Sequence, residues 1–112
     1  AGLKERVEVR AGDVLDALED LSGFDALTLD TEEAPAVIAQ APNLLVTGGA
    51  VAVYSPFVEN TREAVEAARE AGLSAVDTFE TIQRRMDFDE RGSRPSTAGV
   101  GHTGYLTFAR VE

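Results

Sequence analysis

The amino-acid sequence predicts an α/β fold in which helices pack on a mostly parallel sheet. Short apolar runs alternate with stretches whose apolar residues recur at helical spacing, which is the pattern of strand–helix–strand units. Apolar residues make up 44% of the 112 residues. That share is enough for a modest core, and the length limits residues 1–112 to at most one domain.

The first half of the chain contains two predicted strands, each followed by a helix. These elements are a strand over 7–10, a helix over 14–21, a strand over 24–29 that ends at Asp30, and a helix over 36–46. Pro35 suits the first turn of the second helix, whereas Pro42 inside it should kink or restart the helix.

The second half adds three predicted strands. They are a strand over 50–54, a strand over 74–86 and a terminal strand over 104–110, with a helix from Asn60 to Gly72 and a long loop over 87–101 between them. Gly48 and Gly49 break the preceding helix, and the continuous apolar run after them indicates a strand buried on both faces. Asn60 and Glu63 have the spacing of a capping box. The terminal strand is expected to form a hairpin with the strand before the loop.

Composition excludes several classes of protein. No stretch approaches the roughly 20 apolar residues of a membrane helix, and no secretory signal pattern opens the chain, so we expect a soluble, cytoplasmic protein without a membrane partner. The chain has no cysteine and one histidine, His102. A disulfide framework and a Cys- or His-rich metal site are therefore excluded, and we expect no metal.

The net charge of −10 opposes binding to nucleic acid at low salt, because phosphate contacts depend on Lys and Arg. At molar salt the Debye length falls to about 3 Å, so self-repulsion is screened. The composition therefore suits a halophilic organism. Solvated acidic helix faces are the alternative explanation.

Two predicted strands end in residues that can do chemistry. In parallel α/β sheets, ligands bind outside the carboxyl ends of the strands, where Asp30 and Tyr54 lie. If their strands are neighbours, both side chains face one cleft, with Pro56 shaping its wall. The alternative is that Asp30 caps the next helix and Tyr54 is an ordinary aromatic residue at the edge of the core.

Three further features have a functional and a structural interpretation. Asp13 follows the first strand and could accept a hydrogen bond from a nucleoside, or cap a helix. Four arginines around the long loop could contact phosphate, or pair with the acids in the same stretch: Arg84, Arg85, Arg91 and Arg94. His102 could act as a base, or be satisfied within a turn.

The order of these motifs resembles the latter half of class I S-adenosylmethionine-dependent methyltransferases. The motifs are Ala11-Gly12-Asp13-Val14, Leu29-Asp30, Gly48-Gly49 and Tyr54-Ser55-Pro56. Arg94-Pro95 followed by Gly101-His102-Thr103-Gly104-Tyr105-Leu106-Thr107-Phe108-Ala109-Arg110 is similar to the C-terminal signature of the tRNA (adenine-N1)-methyltransferases that modify T-loop adenines. Together the matches cover nearly the whole chain.

The resemblance implies a Rossmann-like methyltransferase sheet in the order 3-2-1-4-5-7-6 with strand 7 antiparallel. This chain would supply strands 3 to 7 and lack the N-terminal, Gly-rich half that binds the cofactor. We therefore expect the chain alone to bind S-adenosylmethionine poorly. Strand 3 would have to pair with strand 4, pair with another chain, or fray.

The resemblance also implies site residues, a substrate and an assembly. It makes Asp30 and Tyr54 catalytic, and places Asp13, Val14 and Asp30 at the cofactor. Pro56 and the four arginines would contact RNA, and the protein would form a homo-oligomer, as the tetramers of the family do. Three interpretations stay open: methyl transfer to adenine N1 of tRNA, a non-catalytic tRNA-binding or assembly subunit, and a methyltransferase with a small-molecule or protein substrate.

Overall fold

The computed structural model describes residues 2–97 and 103–112 and shows a four-stranded sheet in the order β1-β2-β6-β3 with a separate two-stranded hairpin. The strands are β1 (Phe24–Leu29), β2 (Leu45–Ser55), β3 (Ser74–Glu80), β4 (Met86–Asp89), β5 (Gly92–Pro95) and β6 (Tyr105–Arg110). The helices are α1 (Val14–Ala17), α2 (Ala34–Ala39), α3 (Ala41–Leu44) and α4 (Val58–Glu70), with short 3-10 helices at Lys4–Arg6 and Leu18–Asp20. None of the described helices is long and apolar enough to span a bilayer.

The sheet order confirms the predicted α/β class. β1 and β2 are parallel, and β6 runs antiparallel between β2 and β3. If β1, β2, β3 and β6 are strands 4, 5, 6 and 7, their order is 4-5-7-6. The antiparallel terminal strand and its pairing with the strand before the loop are both as predicted.

The strand predicted over 7–10 does not form, which is a correction to the sequence analysis. Those residues are extended coil, and the side chains of Val7 and Val9 are 64% and 87% exposed. A strand forms only when its backbone groups find a neighbour, and this segment pairs with no strand among the described residues. Strand 3 of the implied order is therefore absent from the sheet, and β1 lies at its edge.

The helix predicted over 36–46 is two short helices, α2 and α3. A proline stands in the first turn of each, where its missing N–H costs nothing, so Pro42 restarts the helix as expected. The second helix ends at Leu44, and β2 begins at Leu45 rather than at Ala50. Gly48 and Gly49 therefore lie inside a strand and do not separate a helix from one.

Only one face of β2 is fully buried, in contrast to the prediction. Val51 and Val53 belong to the hydrophobic core and are 2% exposed, whereas Ala50 and Ala52 on the opposite face are half-buried and Tyr54 is exposed. The apolar run over 50–54 is continuous partly because it contains small alanines, and these are only half-buried.

Helix α4 starts earlier than its polar residues suggested. It begins at Val58 with Phe57 as the N-cap residue, so Asn60 lies within the helix and does not cap it. Its end is as predicted. Gly72 has φ +76°, and the amides of Gly72 and Leu73 donate to the carbonyls of Arg69 and Ala68, which is a Schellman motif.

Residues 74–97 form three strands, where the sequence predicted one strand and a loop. β3 ends at Glu80 rather than at Met86, and part of the expected loop over 87–101 is the β4–β5 hairpin. Asp89 stabilises its turn by accepting a hydrogen bond from the amide of Arg91 at 2.8 Å. The strand predicted over 74–86 thus includes all of β3 and only the first residue of β4, and the rest of the hairpin falls in the predicted loop. Residues 98–102 lie outside the described ranges.

We expect Gly72→Ala to destabilise the fold by about 1–2 kcal/mol, because an L-residue pays that cost in the left-handed region. Gly72→Asn should reduce the free energy of unfolding by less, since asparagine tolerates this conformation. Urea unfolding of the two variants and the parent measures the difference. Equal stability of the alanine variant and the parent would contradict this account of the end of α4.

Candidate functional site

A cleft of about 210 Å³ lies at the carboxyl ends of β1 and β2. Its lining comes from the residues that follow β1, from the end of β2 and from the first turn of α4. These residues are Asp30, Thr31, Glu32, Tyr54, Ser55, Pro56, Phe57 and Asn60. The lining combines carboxylates, a phenol, an amide and an aromatic ring, which are the groups that orient a polar, planar ligand.

Strand register brings Asp30 and Tyr54 to the same cleft. Leu29 of β1 pairs with Val53 of β2, so the next residue of each strand lies at the same edge of the sheet. Tyr54 is 42% exposed, and Asp30 is exposed as well. The structure thus places both side chains where a shared ligand can meet them, while their chemical roles stay predictions.

The turn after β2 and the start of α4 contribute one residue that was predicted for the cleft and two that were not. Pro56 lines the cleft, as expected for a wall residue. Phe57 beside it is 64% exposed, and Asn60 enters from α4. An aromatic residue just after the carboxyl end of a central strand is a signal that could have identified Phe57, because ligands of parallel α/β sheets bind at that edge.

Asp13 and Val14 are not among the residues that line this cleft. Asp13 is the N-cap residue of α1, and its carboxylate accepts a hydrogen bond from the amide of Leu15 at 2.9 Å. Val14 packs against the hydrophobic core. The structure therefore shows the capping role directly, and the cofactor role of both residues stays a prediction.

The four arginines lie apart from the cleft. Arg84 and Arg85 precede β4, whereas Arg91 and Arg94 belong to the hairpin, and all four are exposed. None of them lies within 4.0 Å of a carboxylate in residues 2–97 and 103–112. The ion pairs that were the alternative explanation are thus not formed in that part of the chain. His102 falls outside it.

Tyr105 pairs with Ser55 at the end of β2, and its neighbours perturb the ionisation of its phenol. The negative charge of Glu80, its cross-strand partner, raises the pKa of the Tyr105 phenol above its usual value, and partial burial acts in the same direction. A hydrogen bond to Glu80 and the charge of Glu59 raise this pKa further. Each effect disfavours the phenolate.

No family model matches the sequence. Among curated proteins, the chain is 35% identical over 103 residues to the tRNA (adenine(57)-N(1)/adenine(58)-N(1))-methyltransferase TrmI of Methanocaldococcus jannaschii. The aligned region covers 91% of this chain and 36% of that protein. This similarity confirms the resemblance that the motifs indicated.

Solved structures show the same fold. A SAM-dependent O-methyltransferase from Thermotoga maritima superposes with a TM-score of 0.84 at 27% identity, covering 98% of this chain and 41% of that one. The tRNA (m1A58) methyltransferase TrmI from Aquifex aeolicus has a TM-score of 0.72 at 22% identity, covering 88% and 39%. The chain therefore spans roughly two fifths of the length of each of these structures.

The effect of Glu80 on Tyr105 can be tested by alkaline titration. In a Tyr54→Phe background Tyr105 is the only tyrosine of the chain, so absorbance of the phenolate reports its pKa alone. We expect Glu80→Gln to lower that pKa, because removing the negative charge makes the phenolate less unfavourable. Glu70→Gln, at the far end of α4, is the matched control. An unchanged midpoint in the Glu80 variant would refute the assignment.

Proposed function

This chain is a relative of the tRNA (adenine-N1)-methyltransferases over nearly its whole length, and from that relationship we propose that it forms the catalytic side of an S-adenosylmethionine-dependent enzyme. The proposed reaction is methyl transfer to N1 of an adenine in the T-loop of tRNA. The observation that carries the proposal is the cleft that Asp30 and Tyr54 share at the carboxyl ends of neighbouring parallel strands.

The chemistry requires orientation more than a strong base. Adenine N1 carries a lone pair that becomes accessible once the base leaves its stack and its pairing. S-adenosylmethionine, when bound, supplies an electrophilic methyl group on a sulfonium. Positive charge develops on the adenine as N1 is alkylated, so a carboxylate that accepts from the exocyclic amine stabilises the transition state. Asp30 is proposed for this role.

Two aromatic side chains are suited to hold the base. The phenol of Tyr54 and the ring of Phe57 both line the cleft and are both exposed to it. Flipped bases are held between aromatic or apolar side chains, and a flat base covers exposed ring surface that otherwise meets water. We propose that Tyr54 positions the adenine and that Phe57 supplies a second apolar surface.

The cleft alone is too small to be a complete cofactor site. Its volume of about 210 Å³ is below the roughly 300 Å³ at which pockets for small ligands begin. Gly99, Gly101 and Gly104 have the G-x-G-x-x-G spacing in the sequence, but the element that begins after Gly104 is strand β6 and not a helix whose N-terminus could bind an anion. We propose that other parts of the protein complete the cofactor site. In the described ranges no three His, Cys, Asp or Glu side chains converge as metal ligands.

The arginine-bearing segment is the proposed contact with tRNA phosphates. Four exposed guanidinium groups lie within or just before the hairpin, and no carboxylate in the described chain neutralises them through an ion pair. In a chain of net charge −10, these four groups concentrate positive charge locally and can attract a polyanion. Assembly into a homo-oligomer, as the family resemblance implies, is part of the same proposal.

A methyltransferase with a different acceptor is the second candidate. It rests on the O-methyltransferase from Thermotoga maritima, whose superposition on this chain has the higher TM-score of the two. A carboxylate and a phenol at this edge of the sheet also suit a small hydroxylated substrate. Methyl incorporation into tRNA distinguishes the two candidates, because a small-molecule enzyme leaves tRNA unlabelled.

In the intact protein we expect Asp30→Ala to lower kcat for tRNA methylation by about 10²–10³-fold, the usual cost of losing one preorganised electrostatic contact to the transition state. Asp25→Ala, on the same strand and also exposed, is the matched control and should retain parental rates. Initial rates with tritiated cofactor and bulk tRNA measure both variants. A near-normal rate for Asp30→Ala would remove this residue from the mechanism.

We expect Arg91→Gln/Arg94→Gln to weaken tRNA binding and to reduce the slope of log K against log salt by about 1.4–1.8, since each lost phosphate contact removes about 0.7–0.9. Arg62→Gln/Arg69→Gln on α4 changes the net charge equally and should leave the slope unchanged. Filter binding across a salt series measures both. Identical slopes for the two double variants would contradict a specific role for the hairpin.

A further inference from the structure

The ring of Tyr54 lies directly on the backbone of Gly104. A Cβ atom built at Gly104 would stand 1.9 Å from Cε2 of Tyr54, 2.5 Å from Cζ and 2.7 Å from the phenol oxygen. Real Cβ atoms essentially never approach another heavy atom within 3.0 Å. No side chain of any size therefore fits at position 104 while Tyr54 keeps its present position.

The pairing of β2 with β6 explains this close approach. Tyr54 pairs with Leu106 and Ser55 pairs with Tyr105 across the antiparallel ladder. Gly104 is the residue that precedes β6, so the chain enters the sheet beside the end of β2. Side chains diagonally across such a ladder are within reach of an aromatic ring, and here the ring of Tyr54 covers the glycine.

Glycine at position 104 is required by space and not by backbone conformation. Gly104 is not among the glycines with positive φ, in contrast to Gly72 at the end of α4. Its φ is therefore outside the left-handed region in which an L-residue is strained. The three heavy atoms nearest to a Cβ at this position all belong to Tyr54.

We infer that Gly104 is a positioning residue that sets where the Tyr54 phenol stands over the cleft. The ring of Tyr54 occupies the space that a side chain at position 104 would need, so the absence of a Cβ there lets the ring keep its place at the cleft. This inference deepens the proposed function and rests on it, because it assigns to Gly104 the geometry through which Tyr54 would orient the methyl acceptor.

The contact predicts that a side chain at position 104 moves the ring of Tyr54 with little loss of stability. The atoms that a new Cβ would meet are the far end of a flexible side chain, which can swing aside by rotation about χ1. Gly104→Ala should therefore displace the ring. It should lower the unfolding midpoint by less than about 5 °C, which corresponds to a small change in the free energy of unfolding for a domain of this size.

The displacement can be measured on the chain itself by ¹⁹F NMR. The chain has two tyrosines and no tryptophan, so labelling with 3-fluorotyrosine gives two signals, and Tyr105→Phe assigns the one from Tyr54. We expect Gly104→Ala to shift the Tyr54 signal and to leave the Tyr105 signal in place. An unmoved Tyr54 signal in a folded Gly104→Ala chain would overturn the inference.

A thermal rescue keeps the test decisive if Gly104→Ala folds poorly. The double variant Tyr54→Ala/Gly104→Ala removes the ring that the new methyl group would meet. We expect it to unfold no lower than Tyr54→Ala alone. A midpoint that stays depressed in the double variant would show that another contact, and not Tyr54, excludes a side chain at position 104.

Kinetics of the intact protein test the positioning role. Displacing a group by about 1 Å can cost on the order of 10²-fold in rate, so Gly104→Ala should lower kcat by about 10–100-fold while KM for tRNA is unchanged. In a Tyr54→Ala background, Gly104→Ala should lower kcat no further. In a Phe57→Ala background it should lower kcat by its full factor, because the ring of Phe57 is not among the atoms nearest Gly104.

The outcomes separate this inference from the proposed function. Full additivity of Gly104→Ala with Tyr54→Ala would overturn the positioning role. Normal rates for Tyr54→Ala itself would refute the proposed role of Tyr54, and the fluorine shift would still decide whether Gly104 sets the position of its ring.

Discussion

The parallel pairing of β1 with β2 is the constraint on which the rest of the site depends. Leu29 and Val53 are held in register by backbone hydrogen bonds and by burial against the helices. Because parallel strands end at the same edge of a sheet, Asp30 and Tyr54 emerge there together. A shift of one residue in this register would turn Tyr54 into the core, so the valines that anchor β2 indirectly fix the cleft.

β6 adds a second constraint on the same residue. It lies between β2 and β3 and runs antiparallel to both, so the residue before its first pair meets the end of β2. Tyr54 is thus held from two sides, by the register with β1 and by the backbone of Gly104. A phenol held in this way presents a defined hydrogen-bonding group at little cost in side-chain entropy, which is what orientation of a substrate requires.

The sequence predicted the elements whose pattern is local and complete within the chain. β1, the end of α4 at Gly72 and the neighbouring positions of Asp30 and Tyr54 follow from periodicity and from the rule for parallel sheets. The strand over 7–10 was wrong because strand formation depends on a partner that no local pattern reveals. The contact between Gly104 and Tyr54 lies beyond sequence reasoning for a similar reason, since it arises from the ladder between β2 and β6.

The residues proposed for methyl transfer and those proposed to contact tRNA lie on different parts of this chain. The cleft provides carboxylates, a phenol and an exposed aromatic ring, whereas the four arginines lie within or just before the β4–β5 hairpin, whose strands are exposed and do not pair with the sheet. The chain spans 36% of its curated relative and 39–41% of the two solved structures. Its own residues therefore account for the acceptor side of the proposed site, and the cofactor side is proposed to come from the remainder of the protein.

The most direct test of the central claim is the identity of the methylated product. Intact protein is incubated with tritiated S-adenosylmethionine and unmodified tRNA, the tRNA is digested to nucleosides, and the labelled nucleoside is identified by chromatography and mass spectrometry. The account predicts that the label appears in N1-methyladenosine and that Asp30→Ala abolishes most of it. Label in any other nucleoside, or unlabelled tRNA beside a labelled small molecule, would contradict it.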